Sequence, residues 1–297
     1  MKRGWKGRLL LIGILGSFLG IAITWSCSKR GNNETVKSSF ERPAKGHYAG
    51  SESCRSCHNF EYRQWSGSHH DKAMAHADKQ TVSGNFSDVT YQSKGRTWRF
   101  FTEADSFFVE VTEKSGAQQK FPVQFTFGVE PLQQYLVPFP DGKLQALPIA
   151  WDTQKERWFD LYPHIEMHRN EWLHWRNGGM NWNTMCASCH STYLEKNFDP
   201  TQKTFSTRWE NIDVSCESCH GPGEQHVSNA QKTQQEEIPY SHTSPLLMRA
   251  GINSADLVDQ CARCHMRREQ VSNVYEPGDP MHDHYIPALI HPPNYYA

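Results

Sequence analysis

The stretch Cys54-Arg-Ser-Cys57-His58 has the pattern Cys-x-x-Cys-His, which recurs at three further places in this chain. The other copies are Cys186-Ala-Ser-Cys189-His190, Cys216-Glu-Ser-Cys219-His220 and Cys261-Ala-Arg-Cys264-His265. These copies hold all but one of the 9 cysteines, and a histidine directly follows the second cysteine of each. The pattern is typical of c-type haem attachment, in which two thiols bond to one haem and the histidine becomes the proximal iron ligand.

The sequence therefore predicts a tetrahaem cytochrome c with four covalently attached haem c groups (heme c). Two other interpretations stay open. Four Cys-x-x-Cys pairs can form two four-cysteine zinc sites, or each pair can close a disulfide. Neither needs a histidine after every second cysteine, whereas haem attachment does.

The N-terminus predicts export from the cytoplasm. Four cations and no carboxylate precede the apolar or small stretch Leu9–Thr24, so residues 1–26 are typical of a signal peptide. The stretch is short for a spanning helix, which needs about 20 apolar residues. Cys27 follows it and is the expected lipidation site of a lipoprotein. An uncleaved helical anchor and a plain cleaved signal are the alternatives. In each case the remaining chain is extracytoplasmic, in the periplasm or at the outer membrane.

Composition argues against a nucleic-acid partner. The formal net charge of the whole chain is -1, and removal of residues 1–26 takes away four cations and no acid. Without a basic patch, little can neutralise phosphates. Only 37% of residues are hydrophobic, so we expect bound haem to supply part of the apolar interior.

The spacing of the motifs divides the chain. We expect a flexible linker at 27–46, a first haem segment at 47–85, a β-rich insertion at 86–165 and a three-haem segment at 166–297. The predicted strands of the insertion are Thr97–Thr102, Ser106–Thr112, Phe121–Phe127, Gln134–Phe139, Leu144–Trp151 and Arg157–Tyr162, with a turn at Pro140–Lys143. This antiparallel β-module either covers the haems or docks a redox partner.

The haem-bearing segments read as helical or irregular. Helices are predicted at Phe60–Trp65 and Ala73–Ala77, and a third at Ser254–Gln260 with Ser254 as its N-cap. The fold class is therefore α+β, a mostly α or irregular multihaem cytochrome c fold with an inserted antiparallel β-module.

Three stretches carry a resemblance to a known family. They are Gly50–Met74, Cys216–His226 and Phe125–Trp151. They resemble the cytochrome c-554/c-prime family and the haem region of longer bacterial multihaem proteins, some with tetratricopeptide repeats. The resemblance spans about residues 47–290, although no 34-residue repeat is present. We expect the chain to be part of a longer protein.

Four histidines outside the motifs are predicted as distal iron ligands. The resemblance implies His70 and His226, and position relative to the motifs suggests His174 and His284. His69, His164, His168 and His282 are the competitors, whereas His47, His76, His242 and His291 are expected bystanders. Methionine ligands are a further alternative, from Met180, Met248 or Met281.

The predicted function is the relay of electrons between extracytoplasmic redox protein partners. We expect an N-terminal lipid or helical anchor to attach the protein to the membrane. The first alternative is an oxidoreductase with one open-coordinate haem acting on a small nitrogen or oxygen compound. Its candidate acid–base residues are His69, Asp71, Glu217 and Glu224, unless these are solvated side chains. The second alternative is a haem-based sensor or a scaffold subunit that docks through the β-module.

Overall fold

The computed structural model describes residues 47–236, 253–272 and 275–288. Within these residues, antiparallel sheets combine with short helices, which confirms the predicted α+β class. No helix in this described part of the chain is long and apolar enough to cross a membrane. Several predictions fall outside it: the signal sequence 1–26, Cys27, the linker up to residue 46, His242, Met248 and His291.

Most of the described strands lie within the predicted insertion, and the others lie before and after it. In chain order they are β1 (Met74–His76), β2 (Val89–Ser93), β3 (Arg96–Glu103), β4 (Ser106–Thr112), β5 (Gln118–Pro122), β6 (Phe125–Phe127), β7 (Leu132–Pro138), β8 (Leu144–Ala146), β9 (Ile149–Asp152), β10 (Arg157–Asp160), β11 (Phe198–Asp199), β12 (Thr204–Phe205), β13 (Arg268–Gln270) and β14 (Tyr285–Pro287).

The described helices lie mostly in the motif-bearing segments. They are α1 (Ser51–Cys54), α2 (Asn59–Trp65), α3 (Trp182–Met185), α4 (Ala187–His190), α5 (Cys216–His220), α6 (Glu224–Glu236), α7 (Ser254–His265) and α8 (Met281–His284), with a 3₁₀ turn at Gly178–Met180. Helix α2 confirms the prediction at Phe60–Trp65. Helix α7 confirms the predicted third helix, but its N-cap is Asn253 rather than Ser254, because Asn253 Oδ1 accepts the Asp256 N–H at 2.9 Å.

The β-module contains two main antiparallel sheets. The four-stranded sheet has the order β2-β3-β4-β5, and the six-stranded sheet has the order β1-β6-β7-β9-β10, with β8 paired to β7. The predicted hairpin is present as β3–β4, with Glu103 opposite Ser106. The predicted turn at Pro140–Lys143 is also present, and Gly142 has a φ of 76° there.

Two stretches predicted as single strands are each divided in two. Phe121–Phe127 passes from one sheet to the other: Val123 N–H donates to Phe107 O in the first sheet, and Gln124 N–H donates to Leu136 O in the second. Leu144–Trp151 is interrupted at Pro148, which has no N–H to give to a ladder.

The prediction of a helix at Ala73–Ala77 is wrong. Met74–His76 forms β1 and pairs with β6, with Met74 opposite Phe127. The pairing explains the difference, because each of the three residues Met74–His76 lies opposite a residue of Phe125–Phe127 in an antiparallel ladder. Five residues of alternating small and larger side chains fit either structure, and the free edge of β6 selects the strand. The first haem segment therefore contributes a strand to the six-stranded sheet.

Aromatic side chains fill the core. Phe100 is 0% exposed and stacks on Trp158 with ring centres 3.6 Å apart. Phe86 packs edge-on against both rings and against Tyr135. Tyr135 donates to Gln133 Oε1 at 2.7 Å, and burial raises the pKa of its phenol above the ordinary value. These contacts join residues of both sheets into one apolar cluster.

We expect Phe100→Ala to reduce the free energy of unfolding by about 3–5 kcal/mol, because it removes a stacked, fully buried ring. Phe60→Ala is the matched control, since Phe60 is 72% exposed and its loss should change stability by less than about 0.5 kcal/mol. Urea unfolding of the haem-loaded protein measures both values. Equal midpoints for the two variants would contradict the assignment of Phe100 to the core.

Candidate haem-binding site

Each Cys-x-x-Cys-His motif lies on a helical turn. Motif 1 (54–58) continues from α1, and the His58 N–H donates to Cys54 O at 2.8 Å. Motif 2 (186–190) includes α4, motif 3 (216–220) is α5, and motif 4 (261–265) ends α7. Residues three apart share a helix face, so both cysteines of a motif can face one haem, with the histidine next to them.

Motifs 1 and 3 lie side by side. The thiols of Cys54 and Cys216 share a hydrogen bond, and the Cys216 N–H donates to Ser51 Oγ at 3.3 Å. The bond from Cys54 lowers the pKa of Cys216 to about 6, with a further contribution from Ser51. The thiolate is the reactive form of cysteine, and both thiols are attachment candidates.

A buried carboxylate holds these two motifs together. Glu217, inside motif 3, is 2% exposed. Its Oε1 accepts the N–H groups of Ala49 at 2.8 Å and Gly223 at 2.7 Å, and its Oε2 accepts that of Gly50 at 2.9 Å. Both oxygens are therefore used to bind backbone just before motif 1 and just after motif 3. Glu217 is neither a solvated side chain nor an accessible acid–base group.

Motifs 2 and 4 form a second pair. The thiols of Cys189 and Cys264 share a hydrogen bond, and Arg268 Nη2 donates to Cys189 Sγ at 3.3 Å. The bond from Cys264 and the charge of Arg268 lower the pKa of Cys189 to about 6. Arg268 Nε also donates to Arg263 O. The guanidinium of Arg268 thus joins the end of motif 2 to motif 4.

Motif 3 connects the two pairs. Gln260 Nε2 donates to Cys219 O at 3.1 Å, and Arg263 Nη2 donates to Ser218 O at 2.5 Å. Ser218 Oγ also contacts Thr192 Oγ1, just beyond motif 2, at 2.7 Å. All four attachment segments therefore form one contiguous cluster. Motif 1 contacts motif 3, motif 3 contacts motif 4, and motif 4 contacts motif 2.

Two imidazole pairs have the spacing that an iron atom needs. The rings of His58 and His226 have centres 6.1 Å apart, and those of His70 and His265 have centres 6.0 Å apart. With an iron–nitrogen bond of about 2.0 Å on each side, two axial imidazoles have centres about 6 Å apart. The interplanar angles of 29° and 69° are both compatible, because each ring can rotate about its bond to the metal.

Each pair combines a motif histidine with a predicted distal histidine from a distant part of the chain. His226 lies beyond motif 3 yet faces the histidine of motif 1, and His70 lies beyond motif 1 yet faces the histidine of motif 4. Burial lowers the pKa of His226 and of His70, and the neighbouring imidazole of each pair lowers it further. A lowered pKa favours neutral imidazole, the form that binds a metal. The residues present therefore fit two bis-histidine haem sites.

His190 and His220 have different surroundings. His190 packs on Phe127 with ring centres 4.4 Å apart and contacts the Ala73 carbonyl, and its Nδ1 is buried without a partner. Burial lowers the pKa of His190 and of His220. The ring contact of His190 is therefore with Phe127, whereas His220 lies near a second imidazole, because the charge of His58 lowers its pKa further.

The other two predicted distal ligands lie elsewhere. His174 is 4% exposed and lines a small cavity of the β-module together with Arg96, Trp98 and Asp160, without a motif histidine among the lining residues. His284, in α8, contacts Asp279 Oδ2 through Nε2 at 3.2 Å, while its Nδ1 is buried without a partner. Both remain predictions as ligands. The competitors are all exposed: His69, His164, His168 and His282.

Several residues of the site were missed in the sequence. Asp213 lies close to Asp71 and Cys216, and burial raises the pKa of its carboxyl to about 6, with smaller contributions from both neighbours. Gln260 and Arg268 bind motif backbone and a motif thiol, as described above. None belongs to a recognisable pattern, because each acts through a tertiary contact. Only Arg263 carried a signal, as a cation inside a motif.

The comparisons with known proteins agree with this geometry. The sequence model of the family described as cytochrome c554 and c-prime matches residues 53–98 and 151–221, which include motifs 1 to 3. A search of curated proteins gives no match. A solved structure described as "Crystal Structure of Outer Cell Wall Cytochrome OcwA" is similar, with a TM-score of 0.51 and 18% sequence identity. The similarity covers 81% of this chain and 45% of that one, so this chain spans less than half of that structure's length.

The attachment motifs, the paired imidazoles and the match over residues 53–98 and 151–221 are features shared with c-type cytochromes, the class of protein that holds haem c covalently and transfers electrons. The family match covers less than half of this chain, and the similar solved structure shows a shared fold.

Replacing His226 by alanine should remove the distal ligand of the haem at motif 1. We expect one iron to change from low-spin to high-spin in the ferric protein and to bind carbon monoxide after reduction. Electron paramagnetic resonance with integrated spin measures the change. His76→Ala is the control, because His76 is an exposed strand residue outside the imidazole pairs. An unchanged low-spin spectrum for His226→Ala would show that His226 is not a ligand.

Glu217→Gln should destabilise the haem-loaded protein by about 2 kcal/mol. The amide keeps one acceptor oxygen but directs its NH₂ group at a backbone N–H, so a buried donor loses its partner. Glu224→Gln is the matched control, because the Glu224 side chain is 59% exposed and should matter by less than about 0.5 kcal/mol. Urea unfolding midpoints measure both effects. If the two substitutions have the same small effect, the three hydrogen bonds of Glu217 do not stabilise the junction of motifs 1 and 3.

Proposed function

We propose that this protein is a tetrahaem electron carrier that relays electrons between redox protein partners outside the cytoplasm. The observation that carries the proposal is the contiguous cluster of the four attachment segments. Cys54 contacts Cys216, motif 3 contacts motif 4, and Cys264 contacts Cys189. Groups attached at these cysteines are held next to one another, as a relay of single electrons requires.

The imidazole pairs support transfer rather than catalysis. When bound, haem c supplies a one-electron Fe(III)/Fe(II) couple. Two histidines on one iron leave no open position for a substrate, and His58–His226 and His70–His265 both have the spacing for this coordination. The chain holds the two rings of each pair at this spacing, which limits reorganisation when the charge of the iron changes.

Two arginines support a role in setting the reduction potentials. Arg263 lies over the Tyr275 ring at 5.1 Å, and Arg268 lies over the Tyr285 ring at 3.8 Å. Within the part of the chain that the structure describes, neither guanidinium has a carboxylate partner. An uncompensated positive charge favours addition of an electron nearby, so these side chains should raise the potentials of the haems at motifs 2 to 4.

The N-terminal sequence, the haem attachment motifs and the similar solved structure support the proposed location outside the cytoplasm. The N-terminal 26 residues have the pattern of an export signal, and c-type haem attachment needs an exported chain. The similar solved structure is named as an outer cell wall cytochrome. We propose that a lipid on Cys27, or the apolar stretch of sequence before it, anchors the protein at a membrane of the periplasm or at the outer membrane.

A second candidate function is an oxidoreductase that reduces or oxidises a small nitrogen or oxygen compound. The observation in its favour is that His190 packs on Phe127, a side chain that cannot bind iron. A haem attached at motif 2 would keep an open position unless His284 or another group completes it. His69 and Asp71 lie next to the ligand candidate His70 and are the nearest candidates for proton transfer.

One experiment separates the two functions. The ferric, haem-loaded protein is examined by electron paramagnetic resonance with integrated spin, and the reduced protein is titrated with carbon monoxide and nitrite. We expect four low-spin irons and no ligand binding, as the carrier requires. A high-spin signal from one iron in four that disappears on ligand binding would contradict the carrier and favour the oxidoreductase.

A further inference from the structure

A basic pocket lies between Lys143 of the β-module and the segment 169–178, and none of its wall residues belongs to an attachment motif. Its volume is about 450 Å³, and its walls include Lys143, Arg169, Trp172 and Arg176. Volumes of about 300–1,000 Å³ are typical of sites for small molecules. The remaining wall residues are two asparagines and a glycine, so no carboxylate lines the pocket.

The indole of Trp172 is exposed and yet fixed in orientation. The side chain is 62% exposed, which is unusual for a tryptophan without a partner surface. The ring lies directly against the backbone of Gly178, where a Cβ atom would collide with it. The Gly179 N–H donates to Trp172 O at 2.9 Å and holds the two segments together. The exposed ring is therefore a preformed flat surface at the pocket wall.

The basic side chains around the pocket outnumber the carboxylates that pair with them. Asp141 pairs with Lys143 at 2.5 Å. Glu113 serves two cations, Arg96 at 2.6 Å and Arg176 at 3.3 Å. Within the described residues Arg169 has no carboxylate partner. The nearby Glu171 instead accepts the His168 N–H at 2.8 Å.

Arg176, in the wall of this pocket, is a cation with an incomplete set of hydrogen-bond partners. Its Nη1 donates to Gln119 Oε1 at 2.8 Å, but its Nε is buried without a partner. Arg176 also shares Glu113 with a second cation, Arg96, so these positive charges repel one another across one carboxylate. A group of negative charge in the pocket would relieve this repulsion.

We propose that this pocket binds a planar aromatic anion, whose ring stacks on Trp172 and whose charged group contacts Arg169 and Arg176. Guanidinium groups recognise sulfonate, phosphate or carboxylate oxygens, and a flat ring stacks on an indole. An inorganic oxyanion would satisfy the arginines alone and leave the fixed indole uncovered. The exposed tryptophan therefore favours a ligand with both features. The site does not depend on the proposed electron relay.

The test is calorimetric titration of the haem-loaded protein with naphthalene-2-sulfonate. Naphthalene-2-sulfonamide keeps the ring and loses the charge, and inorganic sulfate keeps the charge and loses the ring. We expect the sulfonate to bind at least about tenfold more tightly than either. Flavin mononucleotide is the second probe, because its larger ring and phosphate test the same chemistry with another shape.

Variants locate the binding. Trp172→Ala and Arg169→Gln should each weaken it by about tenfold, and Trp172→Phe should restore most of the first loss. Two controls, Phe60→Ala and Lys155→Gln, change an exposed ring and an exposed cation elsewhere and should have no effect. The proposal is overturned if neither probe binds, if sulfate binds as tightly as the sulfonate, or if the pocket variants bind like the controls.

Discussion

Axial coordination by two imidazoles is the constraint on which the haem-bearing part of this protein depends. An iron bound on both faces needs one histidine beside its attachment cysteines and a second from elsewhere. His58 and His226, with ring centres 6.1 Å apart, and His70 and His265, with centres 6.0 Å apart, meet this need across distant parts of the chain. The distal ligand proposed for motif 1 comes from beyond motif 3, and the one proposed for motif 4 comes from beyond motif 1. Segments that share an iron must fold together, so loading with haem and folding of this region are coupled.

The rest of the structure makes these meetings possible. Glu217 binds backbone on both sides of the junction between motifs 1 and 3, and its three hydrogen bonds satisfy a carboxylate that is otherwise costly to bury. Strand β1, directly after His70, is fixed to the edge of the six-stranded sheet. The sheet in turn rests on a dense aromatic core around Phe100 and Trp158. The β-module thus positions the chain that follows His70, and His265 of motif 4 is the imidazole that His70 faces.

Local chemistry could be predicted from the sequence, and tertiary placement could not. The Cys-x-x-Cys-His motifs, the β3–β4 hairpin and helix α2 each follow from patterns within a few residues. The strand at Met74–His76 was predicted as a helix, because its pattern is too short to distinguish the two and the edge of β6 decides. Phe121–Phe127 was predicted as one strand because the change of partner sheet at Val123 leaves no mark in its apolar composition. His70 and His226 were recognised as candidate ligands, but which motif each one faces depends on how the motifs pack. The burial of Glu217 likewise depends on Ala49 and Gly50, which are far away in sequence.

A crystal structure of the haem-loaded protein that resolves the iron ligands would show whether two distal histidines cross between segments. We predict that the iron attached at Cys54 and Cys57 is bound by His58 and His226, and that the iron attached at Cys261 and Cys264 is bound by His265 and His70. An iron at motif 1 or motif 4 with any other distal ligand, or with an open position, would contradict it.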